Sequence, residues 1–345
     1  MRIDNRLQIA VILAGLGIAS LAIAAPARSQ EPSTDMSFFK HVSHLGWVVK
    51  DLDSVVAHWE KLGLRSIRRG NIEEFDVTWR GRKAATKLKK ASVDIGDVTI
   101  QWIQPVAGDN AYSEFLRNHG DGIQHLAYAM PTEAHWREQI AWFRAKGVDV
   151  VQEGSWQGQK GRGLFADLDT AGRGGGLTIE LEQDPDAAGR SGTPAITQDY
   201  PFTKITQYAF IVRDVKKVSD FYQGIGLGPL PFDRMISIDR MYRGRPVPFE
   251  MYLGWGRQGD VPFEWIQSLV GPSVYDEHLK THGEGFHHIA FNVRDMDEAI
   301  ALMKKRGASV TQSGGWDFPT SKGRFAYLDT ERVGGVSTEL LWNKP

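Results

Sequence analysis

The sequence of 345 residues contains no cysteine. Disulfides, thiolate metal ligands and a cysteine nucleophile are therefore excluded, and any bound metal must be held by His, Asp, Glu, Asn or Gln. An excess of charge of one sign is also missing, because 41 Lys and Arg face 42 Asp and Glu. Without a strongly basic balance, the chain is not expected to bind nucleic acid.

Long apolar runs are absent except at the N-terminus. Arg2 and Arg6 precede the uncharged residues 9–25, and small residues follow as far as Ser29. This order is typical of a secretory signal peptide, which we predict over residues 1–29 with cleavage after Ala24 or Ser29. An uncleaved membrane anchor is the alternative, although the run is just short of a span. With the signal removed, we expect a periplasmic protein without membrane contact.

The two halves of the remaining chain repeat each other. At an offset of 163 residues, Arg80-Gly81-Arg82 returns as Arg243-Gly244-Arg245, and His125 returns as His288. Towards the end of each half the offset falls to about 160, as between Trp156 and Trp316. Such self-similarity predicts a tandem duplication, with domain 1 at 38–183, domain 2 at 202–345 and a linker at 184–201 rich in turn-forming residues.

Each domain contains the pattern β-α-β-β-β twice. The strand-like run His44–Val49, for example, is followed by an amphipathic stretch, Val55–Leu62, with Asp53 or Ser54 as a candidate N-cap. A doubly wound parallel sheet requires strict alternation of strands and helices, which this order breaks. We therefore predict an α+β fold.

Four strand-like runs in each domain carry a polar residue where a buried face requires an apolar one. These residues are His44, Gln101, His125 and Glu180 in domain 1, and Gln207, Glu264, His288 and Glu339 in domain 2. One such residue alone is more often solvent-facing than a ligand. Equivalent polar positions in both copies, limited to residue types that divalent metals accept, favour a metal site in each domain.

These motifs resemble the vicinal oxygen chelate superfamily of glyoxalases, epimerases, drug-resistance proteins and extradiol dioxygenases. The similarity is carried by "GIQHLAYAM", "GEGFHHIAFNV", "GGLTIELEQ" and "GGVSTELLW". It implies four βαβββ units forming two open cup-shaped mixed sheets, each around one divalent ion. Domain 1 resembles methylmalonyl-CoA epimerase and domain 2 resembles glyoxalase I, whose ligand sets fall on the eight residues above. The implied ion is Zn, Ni, Co, Mn or Fe.

The resemblance also implies roles for carboxylates. Glu180 and Glu339 become ligands and candidate bases, and Glu250 is either a second base in domain 2 or a solvated strand residue. We expect an exported, metal-dependent isomerase, epimerase or lyase that acts on a small oxygenated substrate through a metal-stabilised enolate, as a monomer or homodimer.

Two alternatives remain open at this point. His44, His125 and Glu180 form a two-His-one-carboxylate set, which suits a non-haem iron dioxygenase at domain 1. A protein that binds a small molecule without chemistry is the other alternative, and the complete ligand sets argue against it.

Overall fold

The computed structural model describes residues 36–186, 198–258 and 261–344. The predicted signal peptide and residues 187–197 of the predicted linker lie outside these ranges, so both remain predictions. No helix within the described ranges is long and apolar enough to cross a membrane.

Domain 1 is an eight-stranded closed barrel built from two βαβββ units. Its strand order is β1-β4-β3-β2-β6-β7-β8-β5. A short 3-10 helix, Met36–Lys40, comes before the elements β1 (His44–Val48), α1 (Leu52–Leu62), β2 (Arg68–Trp79), β3 (Arg82–Ile95), β4 (Val98–Ala107), α2 (Ala111–His119), β5 (Gly122–Ala129), α3 (Glu133–Ala145), β6 (Val150–Gln157), β7 (Arg162–Leu168) and β8 (Thr178–Gln183).

Domain 2 repeats this order in a curled sheet of ten strands. The strand order is β10-β13-β14-β9-β15-β18-β17-β16-β11-β12. The elements are β9 (Gln207–Ile211), α4 (Val215–Gly224), β10 (Phe232–Met235), β11 (Ile238–Tyr242), β12 (Arg245–Pro246), β13 (Glu250–Gln258), β14 (Val261–Val270), α5 (Val274–Thr281), β15 (Gly285–Asn292), α6 (Met296–Arg306), β16 (Val310–Phe318), β17 (Ser321–Leu328), a 3-10 turn Asp329–Arg332 and β18 (Ser337–Asn343). The predicted α+β fold of tandem domains is confirmed.

The two sheets differ because two strands of domain 2 are interrupted. β2 pairs with both β3 and β6 and so closes the first barrel. Its counterpart in domain 2 is split into β10 and β11, and Asp239 within β11 has a φ of 50°. The counterpart of β3 is split near Pro246 and Pro248, where proline supplies no N–H for the ladder.

Side-chain caps define where the helices begin. The N-cap of α1 is Asp51, whose carboxylate accepts a hydrogen bond from the backbone N–H of Ser54 at 3.0 Å. Helix α1 therefore begins earlier than the sequence predicts, and neither Asp53 nor Ser54 is its N-cap. Helices α2 and α5 are also not anticipated by the sequence pattern, since they span only 9 and 8 residues.

Two glycines, one in each domain, allow the domains to pack closely. A Cβ on Gly335, at a φ of 74°, would lie 1.8 Å from the carbonyl oxygen of Asp121. A Cβ on Gly176, at a φ of 83°, would lie 2.5 Å from the carbonyl oxygen of Glu284. Because Glu284 is the repeat partner of Asp121, the contacts are reciprocal, and the glycine-rich loop 172–176 serves domain packing.

Candidate metal centres and their cups

The topology places the predicted ligand strands side by side. In domain 1, β8, β5, β1 and β4 are consecutive in the barrel and carry Glu180, His125, His44 and Gln101. In domain 2, β18, β15, β9 and β14 are consecutive in the same way. Polar residues that lie up to 136 positions apart in the chain are therefore gathered on one floor in each domain.

Three ligand atoms converge in domain 1. His44, His125 and Glu180 offer atoms that all lie within 4.8 Å of one another, and all three residues are buried. The Nε2 atoms of His44 and His125 are 3.3 Å apart, and each lies 3.3–3.5 Å from an oxygen of Glu180. Gly46 leaves room for this arrangement, because a Cβ there would lie 1.9 Å from the ring of His125.

The second nitrogen of each imidazole is occupied by a neighbouring side chain. Nδ1 of His125 lies 2.5 Å from Oε1 of Gln124, and Nδ1 of His44 lies 3.0 Å from Oε2 of Glu182. An acceptor at Nδ1 holds the proton there and leaves the Nε2 lone pair facing the centre. Both rings are thus oriented as metal ligands require.

Burial and charge set the protonation of this cluster. Burial lowers the pKa of His125 to about 4, so the ring is neutral. Burial also acts to lower the pKa of His44, but the carboxylates of Glu182 and Glu180 outweigh it and raise that pKa to about 10. Burial and the charge of Glu180 raise the pKa of Asp167, which lies opposite Glu180 on the neighbouring strand β7. His44 therefore keeps a proton that a bound divalent ion would displace, and the two imidazoles and one carboxylate would then be a donor set that fits such an ion.

The domain 1 centre opens into a cup of about 1020 Å³. Gln101 lines this cup together with His44 and Glu180, as the sequence predicts. Charged side chains surround the floor: Arg68, Arg69, Glu73, Glu74, Lys90, Asp94, Glu182 and Asp184. Such a lining suits a polar substrate.

Domain 2 also brings its four predicted residues together. Nε2 of Gln207 donates to Oε2 of Glu264 at 2.9 Å and to Oε2 of Glu339 at 3.4 Å. Nε2 of His288 lies 3.2 Å from Glu339 and 3.8 Å from Glu264, but it is buried without a hydrogen-bond partner. An unpartnered imidazole nitrogen facing two buried carboxylates fits a cation.

The charges of the domain 2 floor differ from those of domain 1. Burial lowers the pKa of His288 to about 3, and Nδ1 of this ring contacts Nδ1 of His287 at 2.8 Å. Burial, with the charge of Glu339 added, raises the pKa of Glu264. The floor opens into a cup of about 710 Å³.

Glu250 does not join either floor. It accepts a hydrogen bond from Nε of Arg234 at 3.0 Å, and Arg240 lies 3.9 Å away. Its neighbour Met251 lines the domain 2 cup, whereas Glu250 is absent from the described residues that do so. Glu250 is thus ion-paired outside the floor, and its role as a base stays a prediction.

Two residues of the domain 1 site, Glu182 and Asp167, were not predicted from the sequence. Glu182 follows Glu180 by two positions, and the alternation of a strand places both on one face. That spacing is a signal from which Glu182 could be found. Asp167 is buried on β7 and accepts a hydrogen bond from Nε2 of Gln152 at 3.2 Å, and its relation to Glu180 is visible only in three dimensions.

The tandem βαβββ domains and the His-His-Glu cluster of domain 1, which could hold a metal ion, are features of the vicinal oxygen chelate type. The chain belongs to the Glyoxalase/Bleomycin resistance protein/Dioxygenase superfamily, whose model matches residues 43–165 and 206–327. The resemblance inferred from the sequence is thereby confirmed.

Three solved structures are similar to this chain at low identity. A mutant of 4-hydroxymandelate synthase from Streptomyces coelicolor superposes with a TM-score of 0.55 and 15% identity, covering 88% of this chain and 92% of that chain. The Mn(II)-bound glyoxalase from Novosphingobium aromaticivorans has a TM-score of 0.49 and 15% identity, with 88% and 82% covered. BphC, a halotolerant catechol dioxygenase, has a TM-score of 0.45 and 14% identity, with 88% and 86% covered. At this identity, the first of these likenesses is one of fold alone.

Proposed function

We propose that the protein is a divalent-metal-dependent isomerase, epimerase or lyase whose main centre is formed by His44, His125 and Glu180. The observation that carries this proposal is the convergence of two Nε2 lone pairs and one carboxylate on the floor of an open cup. The bound ion supplies Lewis acidity towards a substrate oxygen. The substrate is small and oxygenated, and the charged walls suit a polar molecule.

The chain itself contributes proton transfer and orientation. Glu180 and Glu182 lie on one face of β8 and both line the cup, where a general base must lie to take a proton from a substrate carbon. Glu182 also holds the tautomer of His44. Arg68 and Lys90 on the wall offer positive charge to an anionic group of the substrate.

A dioxygenase at domain 1 is the second candidate. The observation in its favour is the donor set, because two imidazoles and one carboxylate are the ligands of non-haem Fe(II) oxygenases.

Metal analysis of the purified protein tests the proposal. His125→Ala should remove the ion of domain 1 and His288→Ala that of domain 2, while the exposed control His41→Ala should keep both. Zn, Ni or Mn without oxygen uptake supports the isomerase or lyase, and Fe with substrate-dependent oxygen uptake supports the dioxygenase. Unchanged metal content in both variants would overturn the metal centres.

We also propose that the protein is exported. The support is the basic start, apolar run and small-residue exit of residues 1–29. N-terminal sequencing of protein from its native host should find a start near Ala25 or Gln30. Retention of Met1 on a cytosolic protein would contradict export.

A further inference from the structure

The cups of the two domains occupy equivalent places in the repeat but have different linings. Ser92 pairs with Gln101 in domain 1, and Trp255 pairs with Glu264 in domain 2. Since Gln101 and Glu264 are repeat partners on the two floors, Trp255 takes the place of Ser92. The small hydroxyl side chain of the domain 1 cup is thus replaced by a large aromatic ring in the domain 2 cup.

Charged residues of the domain 1 cup are replaced in domain 2 by an apolar residue or by a residue of opposite charge. On the same cup-facing side of the strand, Leu253 replaces Lys90 and Arg257 replaces Asp94. On the last strand, Glu180 and Glu339 pair with the equivalent residues Ala127 and Ala290.

This register places Leu341 where domain 1 has Glu182 and Asn343 where it has Asp184. The domain 2 cup therefore has no acidic residue at the positions equivalent to Asp94, Glu182 and Asp184 of domain 1.

The wall of the domain 2 cup is an apolar belt. It includes Met251, Leu253, Trp316, Phe318 and Phe325, and it continues to the mouth, where Trp255 is 37% and Phe318 46% exposed. Large exposed aromatic rings that form a patch at a concave opening are typical of a ligand site. The volume of about 710 Å³ lies in the range of small-molecule pockets.

The charges of this cup are divided between floor and mouth. Glu264 and Glu339 are buried on the floor, where Gln207 donates to both. Among the described residues that line the cup, the charged side chains at the exposed mouth are Lys204 and Arg257, which are both cationic. A ligand that fills the belt with a ring keeps a solvated anionic group at this mouth.

We propose that the domain 2 cup is a second ligand site, separate from the domain 1 centre, and that it binds a flat aromatic anion. The ring lies among Trp255, Trp316 and Phe318, and the anionic group meets Lys204 and Arg257. Stacking on aromatic faces and burial of the ring supply affinity, and the two cations supply selectivity for charge.

Calorimetric titration of the full-length protein with naphthalene-2-sulfonate tests this site. Sulfonate is a poor metal ligand, so coordination to either metal centre does not account for binding. The anion should bind at one site per chain and at least tenfold more tightly than the neutral 2-naphthylmethanol. Trp255→Ser, which installs the residue of domain 1, should weaken both probes at least tenfold, and Phe318→Ser should do the same.

A separate variant and control test the contribution of charge to binding. Arg257→Asp, again the residue of domain 1, should weaken the sulfonate at least tenfold and leave the alcohol within twofold. Arg68→Gln alters the mouth of the domain 1 cup and should change neither affinity. Since Trp255, Phe318 and Arg257 are exposed, unchanged thermal melting should show that the variants fold.

Three outcomes would overturn the proposal. Binding that Trp255→Ser and Phe318→Ser both leave intact would place the probe elsewhere. Loss of binding in Arg68→Gln alone would move the site to domain 1. Equal loss of both probes in Arg257→Asp would refute the selectivity for an anion.

Discussion

His119 and His282 each donate a hydrogen bond from Nδ1 to the main-chain carbonyl of the other, at 2.8 and 2.7 Å. The two residues are 163 positions apart, which is the repeat offset, so the contact is reciprocal in the manner of a two-fold interface. Each lies at the C-terminal end of its helix, α2 or α5. The duplicated domains are therefore joined by the same residue used twice.

Removing either ring should loosen this junction. His119→Ala and His282→Ala are each expected to lower the free energy of unfolding by about 1 kcal/mol, the usual net value of a hydrogen bond. The double variant should lose less than the sum, because the two bonds join the same pair of backbone segments and each bond helps to hold the other in place. Urea unfolding of the four proteins measures the coupling. Strict additivity would show two independent bonds, and the exposed control His41→Ala should change little.

The glycine contacts separate backbone strain from steric clash. Gly335 and Gly147 have φ values of 74° and 75°, but a Cβ would meet the Asp121 carbonyl at 1.8 Å in the first case and nothing within 4 Å in the second. Gly147→Ala should cost about 1–2 kcal/mol from φ alone. Gly335→Ala should cost clearly more, as seen in the urea midpoint. Equal losses of stability in the two variants would mean that the contact between Gly335 and Asp121 rearranges at no cost in free energy.

Glu182 is expected to act as a positioning residue for His44. Glu182→Gln replaces the acceptor at Nδ1 by an amide, which should lower metal affinity at domain 1 about 10–100-fold. Competition with a metal-binding dye measures this without reference to turnover. Asp184→Asn removes a charge from the same cup, but Asp184 accepts a hydrogen bond from the backbone of Asp186, so the variant leaves His44 untouched. Equal losses in both variants would indicate an effect of net charge alone.

The two floors should contribute unequally to turnover. Domain 1 offers one carboxylate in its three-atom cluster and domain 2 offers two, so an ion in domain 1 keeps more positive charge and polarises a substrate oxygen more strongly. Glu180→Gln should therefore reduce kcat more than Glu339→Gln. The comparison requires steady-state kinetics on one substrate at saturating metal. A larger loss in Glu339→Gln would reverse the ranking.

Glu331 should make stability depend on pH. Burial raises the pKa of Glu331 to about 7, and its Oε2 is buried without a hydrogen-bond partner. The unfolded chain ionises this group near pH 4.3, so between about pH 4 and 7 the unfolded state releases a proton that the folded state keeps. The free energy of unfolding should fall across that window, by at most about 4 kcal/mol.

Glu331→Gln should remove this part of the slope. Urea unfolding at pH 5 and pH 8 measures it, and the variant is expected to be more stable than the parent at pH 8. The exposed Glu298→Gln serves as the control and should leave the slope unchanged. A parent protein whose stability stays level between the two pH values would contradict the buried, proton-retaining state of Glu331.

The linear pattern was sufficient to predict the duplication, the βαβββ order and the four polar positions of each floor. Each of these is a property of spacing along the chain: an offset of 163, an alternation of two residues, a polar residue in an apolar run. The superfamily followed from the motifs around His125, His288, Glu180 and Glu339.

The neighbours of those residues were decided by tertiary structure. Glu182 meets His44 because β8 and β1 flank β5 in the closed barrel, and Glu250 meets Arg234 because β10 pairs with β13. His119 meets His282 only when the two domains face each other. Contacts between distant strands depend on strand order, register and sheet curvature, and these arise from the packing of the whole chain, so no local periodicity encodes them.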